Sequence, residues 1–225
     1  SHDPLMDRQK AAERAVWLSV ANPPKDKLPA DWKEILAREA AAAEKLEPAL
    51  ALQRLAVLAD TALIRGDKSL ARQNLEAAAT ISLPPNDPFA APISLPAVAL
   101  KLGDLAAGES DWAAAEQHYA QAVKAAPADS LPLFLHGLAL TKLAREEEGQ
   151  KLMRLAELIA LAPEARLALA SGLQERGHRD FAATQFDIVH RTASPDSSQV
   201  AGAAQQVGNL VNAKEPRRAA ECWEA

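Results

Sequence analysis

The sequence predicts an all-α chain of about 10–12 helices, built from consecutive antiparallel pairs. Three observations carry this. Hydrophobic residues make up 48% of the 225 residues but aromatics only 4%, and much of the apolar content is alanine. Alanine is the best helix former, whereas strands favour β-branched and aromatic residues. Second, Gly103, Gly137, Gly172 and Gly208 recur at steps of 34, 35 and 36 residues, each near the middle of an apolar helical stretch. Third, Pro127, Pro163 and Pro195 punctuate the ends of those periods, where proline cannot continue a helix.

In chain order, Asp3 and Pro4 open a helix over Leu5–Val20 with the stripe Leu5, Ala12, Val16, Val20. Pro23, Pro24 and Pro29 then enforce an extended link. A second helix is predicted over Trp32–Lys45, and Pro48 opens the next. Leu50–Ile64 and Ser69–Ile81 form a pair hinged at Arg65–Lys68. Ala59, Ala71, Leu75 and Ala78 carry its contacts. The segment SLPPNDPFAAPISLP, with Phe89 and Ile93, reads as a linker between stacks, the alternative being a loop laid across a groove.

The stretch 96–127 is the clearest unit. Ala99, Leu102, Gly103 and Ala106 lie on one helical face, Gly108-Glu109-Ser110 breaks the pattern, and Ala115, Tyr119 and Ala122 form the returning stripe. Small residues at Gly103 and Ala115 allow close approach, with Tyr119 filling the space beside them. Later second helices are predicted over Trp112–Lys124, Gly149–Leu161, Asp180–Thr192 and from Pro216. Lys151 and Thr184 stand where Ala115 does, and Arg191 where Ala122 does, which predicts looser packing toward the C-terminus. The expected organisation is N-terminal helices over 1–47, a divergent pair over 48–83, a proline-rich linker over 84–95 and repeats over 96–225, the last truncated.

With Gly103, Ala115, Tyr119, Ala122 and Pro127 at its signature positions, this stretch resembles a tetratricopeptide repeat (TPR). The resemblance implies a right-handed α-solenoid, because a lone pair cannot bury its apolar face and stacks on a neighbour. It also implies a concave groove lined by first helices. Carried across, the groove positions are Gln53, Ala56 and Asp60; Leu100, Asp104 and Ala107; and Leu131, Phe134, Leu138 and Thr141. The fourth helix gives Arg166, Leu169, Leu173 and Arg176, and the fifth Gln205, Asn209 and Asn212. Phe134, Leu138, Leu169 and Leu173 would be the adhesive centre, with Arg166 and Arg176 gripping a carboxylate. The competing reading makes those leucines inter-helix core. Lysines and asparagines that hold a terminal carboxylate in the chaperone-binding subfamily are replaced here by Leu100, Asp104 and Leu138, which disfavours that subfamily.

The implied function is a non-catalytic scaffold that binds a protein or peptide, an assembly or adaptor component of a larger bacterial protein. The alternatives are an architectural spacer and a sensor of a small ligand. Sequence offers no catalytic, cofactor or metal set. His118, His136, His178 and His190 lack HExxH spacing, and neither a GxxxxGK[ST] nor a GxSxG motif occurs. His178 and Asp180 flank Arg179 as part of a solvated turn, and Glu146–Glu148 lacks the glycine spacing of a calcium loop. The lone Cys222 reads as a structural thiol. A net charge of −5 disfavours nucleic acid as partner. With no apolar run of about 20 residues, a soluble protein of cytoplasm or periplasm is expected. Ser1-His2 reads as a tag remnant and AAECWEA as the cut end of a longer protein, whose uncapped last repeat would self-associate around Trp223.

Overall fold

A computed structural model describes residues 31–83, 95–192 and 198–211; the side chains of 198–201 and 211 are not described. The described residues form ten α-helices: α1 Trp32–Ala43, α2 Pro48–Ile64, α3 Lys68–Ala79, α4 Leu95–Gly108, α5 Trp112–Ala125, α6 Ser130–Lys142, α7 Glu146–Ile159, α8 Pro163–Glu175, α9 Arg179–Thr192 and α10 Ser198–Val211. No strand occurs among them. The expectations for Leu5–Val20, the 84–94 segment with Phe89 and Ile93, the helix from Pro216, Asn212, Cys222 and Trp223 lie outside the described residues.

The helices group into two compact units that meet in sequence between Glu109 and Ser110. In the first unit α1 packs on α2, α2 on α3, and α3 on α4. Its core is Leu36, Leu52, Leu58, Leu75 and Leu102, each 1% exposed or less. Leucines at helical spacing put one apolar stripe on each helix, and burying those stripes drives the packing. In the second unit each of α5–α6, α6–α7, α8–α9 and α9–α10 packs as a sequential pair. Alternate helices also touch, α6 against α8 and α8 against α10. The unit boundary falls inside the 96–127 stretch, in the turn between its two helices.

The turns repeat one backbone device. Asp67 donates its N–H to the Ala62 carbonyl, Arg145 to Leu140 and His178 to Leu173, all at 2.9 Å. Each bond spans a residue in the left-handed region: Gly66 (φ 78°), Ala144 (φ 61°) and Gly177 (φ 78°). This bond back across the helix end satisfies carbonyls that have no partner in the helix. Ser110 (φ 62°) marks the corresponding turn of the 96–127 stretch. After two of the four, an aspartate caps the next helix. Asp67 accepts from the Leu70 N–H and Asp111 from the Ala114 N–H, each at 3.0 Å.

Counting from the left-handed residue gives the internal register. Five residues on stand Ala71, Ala115, Gly149 and Ala182; nine on, Leu75, Tyr119, Met153 and Phe186; twelve on, Ala78, Ala122, Ala156 and Val189. Met153 is half-buried and the other eleven are buried. The expected dilution of the later repeats is therefore corrected. Gly149, not Lys151, fills the crossing position; Ala182, not Thr184, is its counterpart; and Val189, not Arg191, matches Ala122. Lys151, Thr184 and Arg191 are exposed. Glycines at steps of 34 and 35 misplaced the third period, because the left-handed residues Ala144 and Gly177 are 33 apart.

Candidate functional site

The groove positions expected from sequence lie differently in the two units. On α2 and α4 the register agrees with the expectation. Asp60 is partly exposed on α2 and receives the Lys101 ammonium of α4, with Nζ 2.5 and 2.7 Å from its two carboxylate oxygens. Neighbouring first helices of this unit are thus joined by an ion pair at the surface, a contact worth little by itself at such exposure. Gln53, Leu100, Asp104 and Ala107 are half-buried, and Ala56 is fully buried.

On α6 the side chains turn inward. Phe134 is 1% exposed and Leu138 7%, so both are core. Phe134 meets Phe181 of α9 edge to face, ring centroids 5.2 Å apart at 73°, a geometry that favours the ring quadrupoles. Thr141 is half-buried and donates its hydroxyl to the Leu138 carbonyl at 2.7 Å. Leu131 lies over Gly172 of α8, where a β-carbon would stand 2.5 Å from Leu131 Cδ2.

On α8 the expected positions sit two residues out of register. Leu169 and Leu173 are fully buried. Arg166, 7% exposed, donates from its guanidinium to Gln185 Oε1 at 2.6 Å and to the Glu157 carbonyl at 3.1 Å. Gln185, 1% exposed, in turn donates to Glu157 Oε1 at 2.8 Å. This buried network ties α8 to the C-terminal half of α7 and to α9, and it occupies the guanidinium that was expected to hold a ligand carboxylate. Arg176 donates to the Gly172 carbonyl at 2.9 Å. In place of these four, the turn register assigns Glu164, Leu167, Ser171 and Gln174 as the counterparts of Leu131, Phe134, Leu138 and Thr141. Ser171 is exposed, and Gln174 donates to Gln206 Oε1 of α10 at 3.2 Å. Gln205 and Asn209 are exposed on α10.

The signal that would have found this register was present in sequence. Arg65-Gly66-Asp67 and Arg176-Gly177-His178 mark the turns better than the mid-helix glycines do. Ala144 and Ser110 hid the other two, because neither residue type announces a left-handed backbone.

The remaining chemistry is ionic and structural. His136 Nε2 lies 3.0 Å from Glu116 Oε1, linking α6 to α5. Arg145 grips Glu148 with two N–H groups, at 3.0 and 2.7 Å, and this fork holds the Glu148 carboxyl below the usual carboxylate range. Glu146–Glu148 form the first turn of α7, where carboxylates complement the helix dipole. Among the described residues no group of three His, Cys, Asp or Glu side chains is placed to hold a metal. No described helix is long and apolar enough to cross a membrane. No protein-family model matches the chain, and no curated protein matches it in sequence.

Proposed function

We propose that the chain is a TPR-like helical-repeat scaffold, a right-handed solenoid that holds a protein or peptide partner along its first helices and performs no catalysis itself. The observation that supports it best is the register. Turns with a left-handed residue return every 33–34 residues at Ser110, Ala144 and Gly177, the last two with the same bond back to a carbonyl, and each is followed by a small residue five positions later. Such a repeat stacks pair on pair and leaves one side of each first helix outward. In the second unit the partner-facing residues are Ser171, Gln205 and Asn209, all exposed. Phe134, Leu138, Leu169 and Leu173 hold the helices together and offer no surface. A preformed surface of this kind leaves most of the ordering cost to the ligand. Assembly or adaptor work in a larger bacterial protein is the setting we favour.

The test is capture from the parent organism's lysate by the wild type and by a Ser171→Arg, Gln205→Arg double variant, matched for helicity by circular dichroism. A partner retained by the wild type and lost from the variant is expected. Identical partners on both would move binding off the α8–α10 surface, and no partner on either would favour a spacer role.

A further inference from the structure

We propose that the first unit carries a binding site for a small uncharged molecule with an aliphatic body and one N–H or O–H donor, in the cleft between α1 and α3. Both helices pack on α2, and a cleft stays open between them, with alanines forming the α1 wall. Ala37, Ala40 and Ala41 form the α1 wall, Leu70 and Ala77 the α3 wall, and Ala51 and Leu55 of α2 the floor. The space left is about 530 Å³, within the range of pockets that enclose small molecules.

Asn74 supplies the second observation. It lines this cleft, yet is only 3% exposed. Its Nδ2 donates to the Leu70 carbonyl at 3.0 Å. A carbonyl can only accept, so this bond fixes which way the amide is turned. Asn74 Oδ1 then has no hydrogen-bond partner among the described residues, and it is not one of the side-chain atoms cut off from solvent, so it is an acceptor that the cleft presents. A donor arriving in the cleft exchanges water at this acceptor for a ligand hydrogen bond held in an apolar setting, a modest net gain. The charge of the lining selects further. Glu44, exposed at the rim, is the one ionised side chain among the lining residues. With no cation to meet it, a carboxylate or phosphate ligand would be buried unpaired.

The site is independent of the partner surface on α8 and α10, so failure of either reading leaves the other standing. The test is ligand-observed NMR on the full chain with three probes of one length: 1-octanol, which donates, octanal, which only accepts, and octanoate, which is charged. Saturation transfer to 1-octanol is expected, with Kd several-fold below that of octanal and no transfer to octanoate. Asn74→Leu should erase the preference for 1-octanol over octanal, a change of about 3–10-fold for one lost hydrogen bond. Ala77→Trp, at an exposed position on the cleft wall, should abolish binding of both without disturbing the fold. No transfer to 1-octanol, equal affinity for octanoate, or unchanged binding by a folded Ala77→Trp chain would each overturn the proposal.

Discussion

Ala144 holds a φ of 61° with no glycine to ease it. A β-carbon in the left-handed region costs about 1–2 kcal/mol, while glycine returns about 0.5–1 kcal/mol of that through its freer unfolded chain. Ala144→Gly should therefore stabilise the second unit by about 0.5–1 kcal/mol, read as a rise in the urea midpoint. Gly66→Ala and Gly177→Ala, at φ 78°, should move the midpoint the other way. Asp67 offers a pH prediction at the same scale. The Lys33 ammonium, 2.5 Å from Asp67 Oδ2, and then the Leu70 N–H hold its carboxyl below the usual range. A depressed folded value means the unfolded chain takes up the proton first. The stabilisation is full above the ordinary carboxylate range, about pH 4, and is lost as pH falls through the lower folded value. Asp67→Asn should flatten that acid limb in denaturation curves; an unaltered limb would show that Asp67 does not contribute.

At the scale of helices, closeness of approach decides which glycines matter. A β-carbon on Gly149 would stand 2.4 Å from the Gly137 carbonyl oxygen and 2.6 Å from Thr141 Cγ2; one on Gly137 would stand 2.6 Å from the Gly149 carbonyl oxygen. Backbone cannot yield without separating α6 from α7. Gly149→Ala and Gly137→Ala should each cost about 1–3 kcal/mol, the range for overpacking. Gly172→Ala meets the far end of Leu131 instead, a side chain that can rotate, and should cost under about 1 kcal/mol. Thermal or urea unfolding of the three variants separates these cases, and equal losses would refute the crossing argument. Sequence showed that small residues recur; it could not show that Gly137 faced backbone and Gly172 a leucine tip, because both sit mid-helix in an apolar stretch.

On the scale of the molecule, the Arg166–Gln185–Glu157 network is the place where one side chain joins three helices. Arg166→Ala leaves Gln185 Oε1 and the Glu157 carbonyl without their donor in a buried setting, and should cost about 2–4 kcal/mol. Arg166→Met keeps the volume and should cost less. If the two variants unfold alike, packing rather than hydrogen bonding is what Arg166 contributes. This residue also marks the limit of what could be read in advance. Its position on a first helix suggested a ligand-facing charge, and only the path of α9 reveals that Gln185 meets it.

The sequence by itself determined the all-helical class, the pairing of helices and the small residues where they cross. Alanine content, proline stops and helical spacing are local properties, and each acts within a turn or two of the chain. Boundaries of α1, α2, α5 and α9 accordingly fall within about two residues of those read from spacing alone. Tertiary structure decided the register of the α8–α9 pair, the burial of Phe134, Leu138, Leu169 and Leu173, and the cleft beside Asn74. Those depend on which faces of distant segments meet, and a two-residue error in counting turns an inward side chain outward because 3.6 residues complete a helical turn. Spacing fixes that a helix has an apolar stripe; only the neighbour packed against it fixes where the stripe ends.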